Sequence, residues 1–370
     1  MLRSAIAIMN RPVQTIRCAA AVAGYSAGAL SPSAKNIMAN TRYDVLGIGN
    51  AIVDVIARTD DDFLVKQNMN KGSMSLIDEG RATQIYKDMG PAIESSGGSA
   101  ANTIVGLASF GSKVAFVGKV KDDPLGQVFA HDIRAAGVTF DTKPAKDGPA
   151  TACCYVLVTP DGERTMNTYL GAAQNLQPGD IDVDAIGSAA ITYLEGYLWD
   201  PKDAKEAFVK AAKAAHDAGR QVALTLSDSF CVDRYRDEFL QLVRKGTVDI
   251  LFANEAELKS LYQTADFDTA ATALRQDAKL AAVTRSEKGC VVLTRDKVTA
   301  VPSVPIERLV DTTGAGDLFA AGFLHGLARG ADHMTCGKLG GLAAAEVIQH
   351  MGARPETSLK DLAAASGIKA

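Results

Sequence analysis

Ile191-Thr-Tyr-Leu194, Val222-Ala-Leu-Thr-Leu226, Ile250-Leu-Phe252 and Leu280-Ala-Ala-Val-Thr284 are short apolar runs, and between them residues 202–218, 255–262 and 268–276 carry apolar positions at helical spacing. Runs of three to five residues without polar alternation suit strands buried on both faces, whereas a period near 3.6 suits amphipathic helices. Strand–helix–strand repetition joins parallel neighbours, so this stretch sets the fold class as α/β, with a mostly parallel sheet sandwiched by helices. The alternation extends upstream through Tyr43-Asp-Val-Leu-Gly-Ile-Gly49 and Val114-Ala-Phe-Val-Gly118, with helical spacing at 101–110 and 125–136. Sheets of this kind bind ligands outside the carboxyl ends of their strands. Candidate site residues are therefore sought there.

Two stretches break the alternation. Residues 52–58 and 72–77, then 151–158 and 164–169, read as pairs of strands with no helix between them. Asp161-Gly162 is a turn dipeptide between β-rich runs, so 151–169 reads as a hairpin. The expectation is a discontinuous small sheet from about 52–77 and 150–170, serving as a lid, a dimer interface or a plain surface flap. The rest of residues 41–370 forms one domain.

The 370 residues include 39 Lys+Arg and 43 Asp+Glu, a net charge of −4 that gives no reason to expect a nucleic-acid partner. No apolar run reaches the roughly 18–20 residues of a spanning helix; the longest, Cys18–Leu30, has 13, so no membrane association is expected. Residues 1–42 carry five basic side chains and no acid. Such a start reads as a disordered leader, a targeting segment, or an upstream start codon with Met38 as the natural beginning; residues 1–40 are excluded from the fold. The six cysteines are scattered without a CxxC pair, which is neither a zinc pattern nor a disulfide framework. Free thiols in a cytoplasmic protein are expected. Either a monomer or a homodimer is compatible with the sequence.

The chemistry concentrates in a few turns. In Asp311-Thr-Thr-Gly-Ala-Gly-Asp317, small residues run into an apolar helix. The amides of Gly314, Ala315 and Gly316 would face outward with the positive end of the helix dipole behind them, a place suited to a phosphoryl group. Asp317 beside such an anion is either a general base taking a proton from an attacking hydroxyl or an acid that merely complements the dipole. Gly97-Gly98-Ser99-Ala100-Ala101-Asn102 opens another helix, and Ser99 and Asn102 offer polar groups to a polyhydroxylated ligand. Gly47-Ile-Gly49-Asn50 begins like a dinucleotide fingerprint, but Ile52 stands where the third glycine belongs, which disfavours a dinucleotide-dependent oxidoreductase. Asn50 and Asp54 instead offer an amide and a carboxylate to vicinal hydroxyls. Asn254 and Glu257 lie one helical turn apart and could order Mg²⁺-bound water. Thr284-Arg-Ser-Glu-Lys-Gly289 is a polar turn at a strand end. No GxxxxGK[ST] loop is present.

The order Gly-Gly-Ser-Ala-Ala-Asn, then Asn-x-x-Glu, then Asp-Thr-Thr-Gly-Ala-Gly-Asp resembles the ribokinase-like (phosphofructokinase-B type) carbohydrate and nucleoside kinases across about residues 43–355. Within that family the adenosine kinases are the nearest likeness. The resemblance implies a ribokinase-like fold with a small β lid, and Asp317 as the base that activates a primary hydroxyl. It implies that the 314–316 amides stabilise the migrating phosphoryl group. Asn50, Asp54, Gly98, Ser99 and Asn102 would hold the acceptor, and the lid residue Arg164 would approach the phosphates on closure. ATP would border Asn254, Thr284, Ser286, Gly289, Gly314 and Gly316, with Val347 and His350 flanking its adenine. Mg²⁺ would act with Glu257 through water, and Asp311 and Thr313 would lie near a monovalent-cation site taking K⁺.

Sugar kinases of this group often carry Gly-Gly-Lys-Gly-Ala-Asn where this chain has Gly-Gly-Ser-Ala-Ala-Asn, which favours a nucleoside. The aromatic that stacks on the base in adenosine kinases is replaced by Leu198, between Tyr197 and Trp199, and Ser286 replaces a glycine usual in the ATP turn. The expectation is a phosphotransferase with an alcohol acceptor, using ATP and Mg²⁺ on the 5′-hydroxyl of a purine nucleoside, adenosine first. The alternatives are a kinase of a free sugar or sugar acid and a non-catalytic nucleoside-binding protein on the same scaffold.

Overall fold

The computed structural model describes residues 41–369, so the readings of residues 1–40 lie outside the described part. The chain begins β1 (Tyr43–Ile48), β2 (Ile52–Arg58), α1 (Asp61–Lys66), β3 (Met74–Leu76), α2 (Glu79–Asp88), β4 (Ala92–Gly97) and α3 (Ser99–Ser109). It continues through β5 (Val114–Val117), α4 (Pro124–Ala135), β6 (Ala152–Val158), β7 (Arg164–Tyr169), α5 (Val183–Gly187) and β8 (Ala189–Glu195). Then come α6 (Lys202–Asp217), β9 (Gln221–Thr225), α7 (Ser229–Arg244), β10 (Ile250–Asn254), α8 (Glu255–Leu261), α9 (Phe267–Asp277) and β11 (Leu280–Thr284). The last elements are β12 (Cys290–Thr294), β13 (Val298–Val301), α10 (Ala315–Ala328), α11 (His333–Val347) and α12 (Leu359–Ala365).

The large sheet has the order β13-β12-β11-β10-β9-β8-β1-β5. From β11 to β5 every pairing is parallel; β12 and β13 are added antiparallel at one edge. Its two faces feed two cores, as alternation of side chains along a strand requires. Val45, Tyr193 and Phe252 point to the core shared with Ile104, Phe319 and Phe323 of α3 and α10. Leu46, Leu194 and Leu251 point to the other core, shared with Phe208, Phe239 and Leu258 of α6, α7 and α8. α6 shows how composition makes a helix here: Ala204, Ala207, Phe208, Ala211, Ala212 and Ala215 are its buried positions, spaced three and four apart. α7 is capped by Asp228, whose side chain accepts from Cys231 N (2.6 Å). Its backbone breaks at Tyr235 (φ −123°), while the buried positions Cys231, Val232, Phe239, Leu240 and Val243 stay on one face.

The small sheet has the order β3-β7-β6-β2-β4. The 151–169 hairpin forms as expected, with β6 and β7 antiparallel. Two details differ from the sequence reading. A helix does separate residues 52–58 from 72–77: Asp60 caps α1 by accepting from Phe63 N (2.8 Å), with Asp61 and Asp62 in the first turn. β3 does not pair with β2 but with β7, and β2 pairs instead with β6 and with β4, an edge strand outside the expected segments. One face of the small sheet carries Val53, Val55, Cys153 and Tyr155 into the core around Phe129 and Ile133. The opposite face looks onto the carboxyl edge of the large sheet. Cys153, Cys154, Cys231, Cys290 and Cys336 are free and buried. Among the described residues no helix is long and apolar enough to cross a membrane.

Candidate active site

A cleft of about 700 Å³ lies between the two sheets. The carboxyl ends of the parallel strands supply Asn50, Glu195, Thr225, Asn254 and Thr284, the helix starts supply Ser99 and Asp317, and the small sheet supplies Ile52, Asp54, Met74, Leu76, Cys154, Met166 and Thr168. These last residues share a face because they alternate along their strands. Leu76, Thr168, Cys154 and Asp54 are even cross-strand partners in one row.

Asp317 sits in the first turn of α10. Ser99 Oγ donates to its Oδ1 (2.6 Å) and Asn102 Nδ2 to its Oδ2 (3.2 Å). Burial lifts its carboxyl to about 6, against the pull of those two donors. Gly314 caps the helix at φ +78°, and a Cβ there would lie 2.8 Å from Ala353, so both conformation and packing demand glycine. The first intrahelical bond is Leu318 N onto Gly314 O (2.8 Å), which leaves the amides of Gly316 and Asp317 without a protein acceptor. The Ala315 amide is different: it donates to Thr312 O (3.2 Å) and closes the turn. The three-amide hole expected over 314–316 is thus corrected at Ala315, whose N–H is already engaged.

One wall of the cleft is built around a residue that the sequence reading missed. Glu195 ends β8, is 1% exposed and lines the cleft. Its carboxylate accepts from Asn50 Nδ2 (2.6 Å), Asn50 N (3.3 Å) and Ala100 N (2.9 Å), so it fixes both the loop after β1 and the start of α3. Burial raises its carboxyl to about 7, the three donors oppose that, and Asp317 adds to it. A carboxylate ending the apolar run 191–194 at a sheet's carboxyl edge was the available signal. Gly98 adopts φ +97°, and a Cβ on it would meet Asn50 O at 2.3 Å. Asp54, opposite, is lifted by burial to about 6; the cations of Arg354 and Arg164 oppose the shift and Asp317 reinforces it. Arg354 had no sequence signal, since it stands in an irregular turn.

Several expected residues lie elsewhere. Leu198 is 1% exposed and packed in the core with Trp199 and Phe208. It does not line the cleft; Tyr197 does, together with Phe230, which is 75% exposed. The turn Gly196–Trp199 presents one side chain outward and buries its neighbours. Arg164 pairs with Asp311 (2.7 Å) instead of lining the cleft. Asp311 also accepts from Thr313 N (3.0 Å), Thr313 Oγ1 (2.7 Å) and Gly352 N (3.0 Å), so its carboxylate gathers the turn before α10 around it.

Of the residues expected around ATP, Asn254 and Thr284 line the cleft, but Ser286, Gly289, Val347 and His350 do not. Ser286 and Gly289 form the turn between β11 and β12, closed by Arg285 N onto Gly289 O (2.8 Å). Val347 is buried among Phe110, Leu339 and Leu359, and His350 Nε2 is held by Glu346 (3.2 Å). Asn254 and Glu257 form a capping box: Asn254 Oδ1 accepts from Glu257 N (2.8 Å) and the Glu257 carboxylate accepts from Asn254 N (2.9 Å). Burial, together with Asp228, raises the Glu257 carboxyl to about 7, against the Asn254 amide. Among the described residues no cluster of three His, Cys, Asp or Glu side chains could cage a metal. The donor set suits a divalent ion carried on nucleotide phosphates and waters, reached by one carboxylate at the cleft wall.

The model of the pfkB family of carbohydrate kinases matches residues 92–359. The chain belongs to this family, phosphotransferases with an alcohol group as acceptor that use ATP with a metal ion. An adenosine kinase structure from Sinorhizobium meliloti is 55% identical, with a TM-score of 0.82 over 88% of this chain and 99% of that one. A probable sugar kinase structure from Rhizobium etli CFN 42 is 54% identical, with a TM-score of 0.83 over 89% of this chain and 100% of that one. A probable chloroplastic fructokinase-6 of Arabidopsis thaliana is 32% identical over 63% of this chain; the chain spans 62% of its length.

Proposed function

We propose that this kinase transfers the γ-phosphoryl group of ATP, with Mg²⁺, to the 5′-hydroxyl of a purine nucleoside, adenosine first. The observation that carries the nucleoside reading is Phe230, an aromatic left 75% exposed on the cleft wall. Across a cleft whose walls also include Tyr197, Met74 and Leu76, it offers a flat base the apolar and aromatic contact that bases favour. A free sugar would leave that surface wet. The adenosine kinase likeness at 55% identity supports the same reading.

Asn50 and Asp54 hold the ribose hydroxyls, and Glu195 holds Asn50. The 5′-hydroxyl lies by Asp317. As its oxygen bonds to the γ-phosphorus, its proton passes to the Asp317 carboxylate, the bridging P–O bond breaks, and ADP leaves with the electron pair. The open amides of Gly316 and Asp317 stabilise the transferring group. Glu257 would hold Mg²⁺ through water, and the ion would supply charge neutralisation on the phosphates. The small sheet acts as a lid that excludes water.

A second reading, a free-sugar kinase, draws on the fructokinase likeness. A panel of adenosine, guanosine, ribose, fructose and 2-keto-3-deoxygluconate with ATP separates the two. Adenosine should give the highest kcat/KM; a preference for any free sugar overturns the nucleoside reading.

A further inference from the structure

Arg354 stands in the turn after α11, and three successive residues of that turn each hold a different element beside the cleft. Gly352 N donates to Asp311 Oδ2 (3.0 Å). Ala353 packs on Gly314. Arg354 Nε donates to Asn102 Oδ1 (3.3 Å) and Nη1 to Asp132 Oδ2 (3.3 Å), while Nη2 is buried without a partner. Asp132 is anchored in turn by Ser96 N (2.8 Å) and the Ser96 hydroxyl.

Asn102 therefore lies between two groups of opposite character. A guanidinium only donates and an ionised carboxylate only accepts. The amide satisfies both in one orientation, with Oδ1 on Arg354 and Nδ2 on Asp317. Without the guanidinium a second orientation opens once Asp317 has taken a proton: the amide turns over and Oδ1 accepts from the carboxylic acid. That orientation favours the acid and weakens the base.

We propose that Arg354 is a positioning residue that locks Asn102 as a donor to Asp317 in both protonation states. The inference rests on the reading of Asp317 as the base. Asp317 acts on the titratable groups Asp54, Glu195, Tyr193 and Tyr197; Asp54 and Asp132 act on Arg354, Arg164 acts on Asp54, and Asp54 acts on the Cys154 thiol.

The test is a double-mutant cycle of R354Q and N102A, read as the pH profile of kcat/KM. The acceptor is whichever member of the panel the unaltered kinase turns over fastest, so a wrong substrate reading shows first and leaves this test intact. R354Q should move the acid limb up by about one pH unit, lower kcat at pH 6.5 by roughly threefold, and leave the KM for ATP within about twofold. In the N102A background R354Q should move the limb no further. An equal shift in both backgrounds would mean that Arg354 acts by its charge on Asp54, and no shift in either would mean that it is structural; both results overturn the proposal. If R354Q melts below the assay temperature, R354M takes its place under the same rule, because a thioether keeps the apolar stem and offers no donor to Asn102 Oδ1. If no acceptor in the panel yields ADP, the base reading fails and this inference falls with it.

Discussion

Ser99 Oγ donates to Asp317 Oδ1 at 2.6 Å, joining the first turns of α3 and α10 across 218 residues of sequence. The contact matters because burial alone would push the Asp317 carboxyl up, and it stands at about 6 with Ser99 and Asn102 opposing. A base must be ionised, so turnover should fall as the pH drops through about 6. Removing the hydroxyl removes a stabiliser of the carboxylate. S99A should therefore move the acid limb of kcat/KM to higher pH by about one unit, costing roughly fivefold at pH 6 and little at pH 8. D317N should bind adenosine and abolish turnover. An unmoved limb in S99A, or phosphorylation by D317N, would assign proton removal to another group.

Phe230 makes almost no contact that holds the protein together, since it is 75% exposed. F230A should leave the melting temperature unchanged. Loss of an aromatic surface against a base should cost about 1–2 kcal/mol, so the KM for adenosine should rise about tenfold while the KM for ATP stays constant. An equal rise for ribose would contradict the placement of the base there.

The parallel sheet was legible because its strands are short, mostly apolar runs, and the candidate catalytic turns were legible because glycines precede apolar helices. What failed to show had a different cause in each case. Glu195 is one acidic letter, and its importance comes from Asn50 and Ala100, distant in sequence and brought to it by folding. Leu198 and Tyr197 are adjacent, and only the turn geometry decides which faces the cleft. β4 reads Ala-Ile-Glu-Ser-Ser-Gly, with three of its six residues exposed, because an edge strand needs little apolar character.

Glu195 and Glu257 are each raised by burial to about 7. Between their unfolded values near 4.5 and about 7, the folded protein holds protons that the unfolded chain has released. Stability therefore falls as pH rises through that window, and the ligand-free protein should melt lower at pH 8 than at pH 5.5. E195Q removes one titrating group but turns an amide NH₂ toward at least one of the three donors, Asn50 Nδ2 on one oxygen or the Asn50 and Ala100 amides on the other. It should lose about 1–3 kcal/mol at pH 5.5 and decline less steeply toward pH 8. Calorimetric melting across pH reads both effects; a decline as steep as that of the unaltered protein would remove Glu195 as its source.

The Arg164–Asp311 pair is the ionic tie between β7 of the small sheet and the turn leading into α10, with side chains 11% and 7% exposed. At that burial solvent screens little, so removing one partner leaves a charge with few substitutes. Asp311 retains Thr313 and Gly352 as donors, whereas Arg164 Nε is already buried without a partner. The loss should therefore be asymmetric, D311N destabilising more than R164M because it strands the cation. The two single losses should exceed the double loss by about 1–3 kcal/mol in a thermal or denaturant cycle. Turnover should fall in both variants, because the small sheet is then no longer held against the catalytic turn. Additive losses, with coupling under about 0.5 kcal/mol, would mean that the side chains touch without tying the sheet to the turn, and closure would have to rest on Met74, Leu76 and their apolar neighbours instead.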